Sequence, residues 1–252
     1  MIEVKNVCKE FSSQKVLNNI CAEFLPGKTN LTIGQSGSGK TVLLKCIAGL
    51  HNVSSGDILY DGRSFTAMNE KQRKEIRKEM GMVFQGGALF DSNTVEENVM
   101  FPLEMFTHMT YDERRERAHE CLKRVNIINA EKKYPAEISG GMQKRVAIAR
   151  AIALNPKYLY CDEPNSGLDP VTSIVIDNLI KDITIEYNIT TIVNTHDMNS
   201  VMEIGDKIIF IYKGQKFWQG TSSDIFQSGV KELEDFVFAS SRMKQIRTLQ
   251  QK

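Results

Sequence analysis

Apolar and polar residues alternate through the first 25 positions (Ile2, Val4, then Val16-Leu17, Ile20, Ala22, Phe24), which predicts antiparallel strands with one solvated face. Pro26-Gly27 turns the chain into a short buried run, Thr29 to Ile33, and Thr41 to Leu50 reads as a helix closing on Gly49. Gly56 to Gly62 reads as a strand ending in an Asp-Gly turn, and Asn69 to Lys78 as a charged, solvated helix. Met80 to Phe84 is a further buried strand, ended by Gln85-Gly86-Gly87.

From about Ala88 to Asn155 the period becomes helical. Asn93-Thr94 with the following Glu96-Glu97 marks a helix start, and Pro102 is expected to kink or end that helix. Tyr111 to Asn126 carries Ala118, Cys121, Leu122 and Val125 at helical spacing among mixed charges, a packing surface rather than a nucleic-acid one. Apolar strands then return at Tyr158 to Cys161 and Thr190 to Thr195, separated by a helix opening at Asp169-Pro170. Lys207 to Gln219 makes a hairpin around Lys213-Gly214, with Trp218 packed. Beyond Ser228, Val230, Leu233, Val237, Met243 and Ile246 keep a helical spacing. Together these predict an α/β core with an N-terminal antiparallel β subdomain and a helical insert at about 88–155.

Composition narrows the classes. The 252 residues suffice for one large α/β domain or a core with a subdomain. A formal charge of +1 exerts no bulk pull toward nucleic acid. The five scattered cysteines, without a Cys-x-x-Cys pair, are expected to be reduced thiols in a cytosolic compartment. Met1 to Lys5 lacks the shape of a signal peptide and no apolar run is long enough to span a bilayer, so a membrane role is expected to come through a partner. The last eleven residues hold Arg242, Lys244, Arg247 and Lys252 with no acid, either a solvated helix or a docking segment.

The candidate chemistry centres on Gly34-Gln35-Ser36-Gly37-Ser38-Gly39-Lys40-Thr41, which fits the phosphate-loop pattern between a strand and a helix. Its glycines let backbone N–H groups curl around phosphate oxygens, the helix N-terminus adds partial positive charge, Lys40 reaches the β- and γ-phosphates, and Thr41 ligates Mg²⁺. Phe11 either stacks on an adenine or is a core phenylalanine. Gln85 either caps its strand or joins Mg²⁺ or a water to a mobile segment. Ser139-Gly140-Gly141 is a helix cap, a second anion site, or a cap over a nucleotide held by another copy of the chain. At the end of a buried strand, Asp162 would hold Mg²⁺ and Glu163 would polarise an attacking water. His196, also at a strand end, would hydrogen-bond a γ-phosphate. His51, His108 and His119 have no comparable setting.

The order and spacing of the phosphate loop, Gln85, Ser139-Gly140-Gly141, Asp162-Glu163, Ser166-Gly167-Leu168-Asp169 and His196 resemble those of the ABC ATPases from about residue 2 to 225. The resemblance implies a phosphate-loop NTPase (RecA-like) core, taken as residues 1–228, and the helical spacing beyond Ser228 reads as a C-terminal helical extension over 229–252. It also implies ATP and Mg²⁺, and a head-to-tail homodimer with each ATP between one chain's Lys40 loop and the other's Ser139 segment. Phe11 matches the family's adenine-stacking aromatic, commonly Tyr, and Asp169 matches the family's motif at its nucleotide site. Ile138 and Met142 stand where Leu and Gln are usual. Only 53 residues lie between Gln85 and Ser139 and each motif occurs once, which disfavours non-transport members with long inserts or paired motif sets.

Gly86-Gly87-Ala88-Leu89-Phe90-Asp91-Ser92, with Ser139-Gly140-Gly141-Met142, is further similar to the ATPase subunits of Mla or MCE-type lipid transporters. That similarity implies an integral-membrane permease partner facing Phe90 and an MCE-domain lipid-binding protein. It also implies a peripheral position on the cytoplasmic face of the inner membrane. Amino-acid import, lipoprotein release and cell-division systems share the catalytic motifs and remain open.

Overall fold

The computed structural model describes residues 1–12 and 14–238. Arg242, Met243, Lys244, Ile246, Arg247 and Lys252 lie outside the described residues. The strands are β1 (Ile2–Phe11), β2 (Gln14–Phe24), β3 (Lys28–Ile33), β4 (Ser55–Tyr60), β5 (Arg63–Ser64), β6 (Met80–Val83), β7 (Tyr158–Asp162), β8 (Thr190–Thr195), β9 (Lys207–Tyr212) and β10 (Gln215–Gly220). The helices are α1 (Lys40–Ile47), α2 (Glu70–Lys78), α3 (Val95–Phe106), α4 (Tyr111–Arg124), α5 (Gly140–Ile152), α6 (Pro170–Glu186), α7 (Met198–Ile204) and α8 (Lys231–Val237).

The chain divides into two units. The first contains Met1–Leu25, Thr29–Ala67 and the chain from Asn194 on. Its antiparallel sheet runs β2-β1-β4-β5, and a second strand group runs β10-β9-β3 with β3 and β9 parallel. The alternation read from the sequence is the inward set Ile2, Val4, Leu17, Ile20 and Phe24, all buried.

The second unit contains Pro26–Lys28 and Met68–Val193. Its strands run β8-β7-β6, with β6 and β7 parallel. Every residue of β7 and β8 is buried, as expected of strands covered on both faces. Both α3 and α4 open on complete capping boxes, Thr94 with Glu97 and Thr110 with Glu113. Pro102 neither ends nor interrupts α3, which continues to Phe106. The tightly capped start and the buried face of Val95, Val99 and Leu103 hold the helix through the missing N–H.

Among the described residues no helix is long and apolar enough to cross a membrane.

Candidate nucleotide site

The phosphate loop lies in the first unit, between β3 and α1. A Cβ at Gly34 would stand 2.2 Å from the Ile211 carbonyl oxygen, so only glycine lets the strand leave here. Gly37 has a φ of 77° with open space where a Cβ would be, leaving backbone exposed for a ligand to approach. The Lys40 ammonium turns back onto its own loop, donating to Gly34 O at 2.8 Å and Gln35 O at 3.1 Å. Ser38 is 6% exposed, and its buried hydroxyl has no hydrogen-bond partner in the protein. An orphaned hydroxyl in a glycine-built curl beside a helix N-terminus fits a phosphate group. The loop is braced from the β9–β10 turn: Gly214 N donates to Ser38 O at 2.9 Å, and Asn18 N to Gly214 O at 2.8 Å.

Phe11 ends β1 and is 40% exposed, which removes the core reading and leaves a ring open for stacking. His196 follows β8 and is exposed, with Asp197 capping α7 through Asn199 N at 2.8 Å.

The other candidates lie in the second unit. Asp162 closes the buried β7 and is itself 6% exposed. Glu163 follows in the left-handed region, at a φ of 50°, a conformation uncommon for a glutamate and typical of constrained functional turns. Gln85 reaches the same turn, its amide donating to Ser166 Oγ at 3.3 Å. Ser139 is exposed and caps α5 by accepting from Met142 N at 3.3 Å. Gly141 packs so closely on Thr172 that a Cβ would come within 2.7 Å of its methyl. Asp169 caps α6, and hydrogen bonds from Thr172 Oγ1, Thr172 N and Val171 N hold its carboxyl below the usual range. The signature glycines and the Asp169 turn are therefore neighbours within one chain.

Three contributors were not singled out from the sequence. Lys144 of α5 donates to Gln85 O, and Arg150 donates to Gly87 O at 2.8 Å and Ala88 O at 2.7 Å. Burial pushes both cations below their ordinary values. Their signal was that Lys144 and Arg150 flank the buried run Val146, Ala147, Ile148 and Ala149, where an inward charge needs carbonyl partners. The third is Asn98, fully buried, whose amide accepts from Phe90 N at 2.8 Å and donates to Phe90 O, Asn93 O and Thr94 O at 3.0–3.1 Å. It holds Phe90 out at 41% exposure, with Phe101 tilted against it at 57° and 4.7 Å between centroids.

Elsewhere in this unit Glu96 is buried among Lys132, His119 at 2.9 Å and Arg115 at 3.6 Å. Burial alone would raise its carboxyl, but those hydrogen bonds and charges outweigh it and hold the group below its ordinary value. Among the described residues no cluster of three His, Cys, Asp or Glu side chains is arranged to hold a metal ion.

Residues 17–166 match the ABC transporter family, and the chain belongs to it: an ATP-hydrolysing subunit of the kind that powers a transporter. It is 39% identical over 94% of its length to the methionine import ATP-binding protein MetN of Clostridioides difficile, covering 74% of that protein. It is 38% identical over 90% of its length to the intermembrane phospholipid transport system ATP-binding protein MlaF of Haemophilus influenzae, covering 86% of that protein. Among solved structures, the dimeric ATP-binding cassette MJ0796 in a post-hydrolysis state with ADP and Pi superposes at a TM-score of 0.81. The two are 33% identical, over 88% of this chain and 99% of that one. The α/β core with its antiparallel β and helical parts is the fold of these cassettes.

Proposed function

We propose that this chain is the ATPase of a complex moving phospholipid between membranes, working as a homodimer on an integral-membrane permease with an MCE-domain lipid-binding protein. In this reading it is peripheral on the cytoplasmic face of the inner membrane. Each ATP lies between the Lys40 loop of one copy and the Ser139-Gly140-Gly141 helix start of the other. Phe11 stacks on the base, and Gly34, Ser36, Gly37, Ser38, Gly39 and Lys40 cradle the phosphates. Glu163 polarises the attacking water, His196 reads the γ-phosphate, and Asp169 lines the shared interface. Thr41, Gln85 and Asp162 offer only oxygen donors, the set a hard cation prefers, and are the residues that would hold Mg²⁺. Bound there, Mg²⁺ would neutralise charge developing on the phosphates. Since positioning and charge stabilisation supply most of the catalysis, each half-site stays incomplete until the dimer closes.

The observation that carries the lipid reading is the Phe90 segment: its Gly86-to-Ser92 wording is of the Mla type, and Asn98 displays its aromatic ring outward. The fuller coverage of MlaF, 86% against 74% of MetN, agrees. A methionine importer is the second reading, favoured by the identity to MetN. The test is to purify the tagged chain from detergent-solubilised membranes and identify co-purifying proteins and lipids by mass spectrometry. A permease with an MCE-domain protein and phospholipid is the expected outcome. A permease with a methionine-binding protein would overturn the cargo, and recovery without any membrane protein would overturn the transport role.

A further inference from the structure

The Phe11 ring is not left loose at the end of β1. His51 meets it edge-on, with centroids 5.3 Å apart and planes at 79°, and the Lys9 ammonium sits over it at 4.6 Å from the centroid. His51 lies in the turn that follows α1, the helix whose first residue is Lys40, and its backbone N–H ties that turn to the last turn of the helix by donating to Lys45 O at 3.1 Å. The Lys9 charge also reaches this helix, opposing the burial that raises the Cys46 thiol. The helix therefore starts at the phosphate loop, and the turn bonded to its last carbonyls sets His51 against the exposed aromatic.

We propose that His51 is a positioning residue for the nucleotide base, setting the Phe11 ring at a fixed distance and angle from the phosphate loop through α1. The proposal rests on the stacking role given above to Phe11 and goes beyond it in assigning how the ring is held. A ring 40% exposed at a strand end has several rotamers open to it, and a base stacks productively on only one of them. The edge contact favours that one by an amount typical of aromatic pairs, corresponding to about a two- to tenfold change in affinity. Because the contact touches no phosphate-binding group, its effect is confined to ligands that carry a base.

The test compares ADP with pyrophosphate, the same phosphates without a base, on the full-length protein. ADP affinity is read by calorimetry and pyrophosphate affinity by competition against a fluorescent ADP. His51→Ala is expected to weaken ADP about two- to tenfold and leave pyrophosphate unchanged, and His51→Phe, which restores an aromatic edge, to recover ADP binding. In a Phe11→Ala background, His51→Ala should have no further effect, since the ring it positions is gone. Equal losses for ADP and pyrophosphate would overturn the proposal and assign His51 to the stability of α1 alone. Normal ADP binding by His51→Ala alongside weakened binding by Phe11→Ala would overturn the proposal while sparing the stacking role. ADP affinity indifferent to Phe11→Ala would overturn the stacking role itself.

Discussion

Removing the Asn98 amide tests whether the Phe90 segment is held by one buried side chain. In Asn98→Ala, Phe90 O keeps its bond from Asn93 N at 3.1 Å, and Thr94 O keeps its bond from Asn98 N at 2.9 Å. Phe90 N and Asn93 O lose the partner described above. A buried backbone group stripped of its hydrogen bond costs about 1–3 kcal/mol, and both are partly exposed, so the two together cost roughly 2–3 kcal/mol. Alanine's better helix propensity returns only a few tenths of a kcal/mol. The melting temperature should fall by about 5–10 °C. Exchange of the Phe90 amide hydrogen should accelerate roughly 30- to 150-fold, read by hydrogen–deuterium exchange with mass spectrometry over residues 88–94. Asn98→Asp separates the halves of the interaction: its carboxylate still accepts from Phe90 N but donates nothing, so that amide stays protected while the fold weakens. A melting temperature within 1–2 °C of the parent, with Phe90 exchange unchanged in Asn98→Ala, would show that the Asn98 amide does not hold the segment.

Other perturbations address the site and the charged network. Glu163→Gln should bind ATP yet accumulate as a closed dimer in size-exclusion chromatography, and normal turnover would remove Glu163 from its role. Gly34→Ala forces a Cβ against Ile211 O, so ADP affinity measured by calorimetry should drop by more than about tenfold, well beyond a propensity effect. Glu96 is held below its ordinary value of 4.5, so its contribution is present above that pH and is lost as pH falls through the lower folded-state value. Glu96→Gln should therefore cost roughly 1–2 kcal/mol in thermal melts at pH 7 and progressively less in acid. A gap that widens on acidification would contradict the sign.

The phosphate loop and the two carboxylates at the end of β7 were legible because their chemistry needs particular residues at fixed short spacing. The strands were legible for a related reason, since a period of two or a fully apolar run survives without knowledge of neighbours. Pro102 shows where local rules fail: proline disfavours helix interiors, but tertiary burial of Val99 and Leu103 outweighs one missing hydrogen bond. Lys144, Arg150 and Asn98 act on carbonyls chosen by the fold. Lys144 and Arg150 lie about 60 residues from their acceptors, and no spacing along the chain announces that pairing. His51 was unreadable for the same reason, because its meaning comes from the end of β1, 40 residues away.

The brace on the phosphate loop bears on how the protein is born. The loop is made at residues 34–41, but the Gly214 amide that pins Ser38, and the β9 strand beside β3, are synthesised more than 170 residues later. At about 5–20 residues per second, a nascent chain spends roughly 10–35 s with the loop outside the ribosome and its clasp unmade. Until then the loop's glycine-built curl lacks the backbone bond that holds Ser38. A chain stalled before residue 214 lacks the bond that Gly214 gives to Ser38 O, so its phosphate loop stands without this brace.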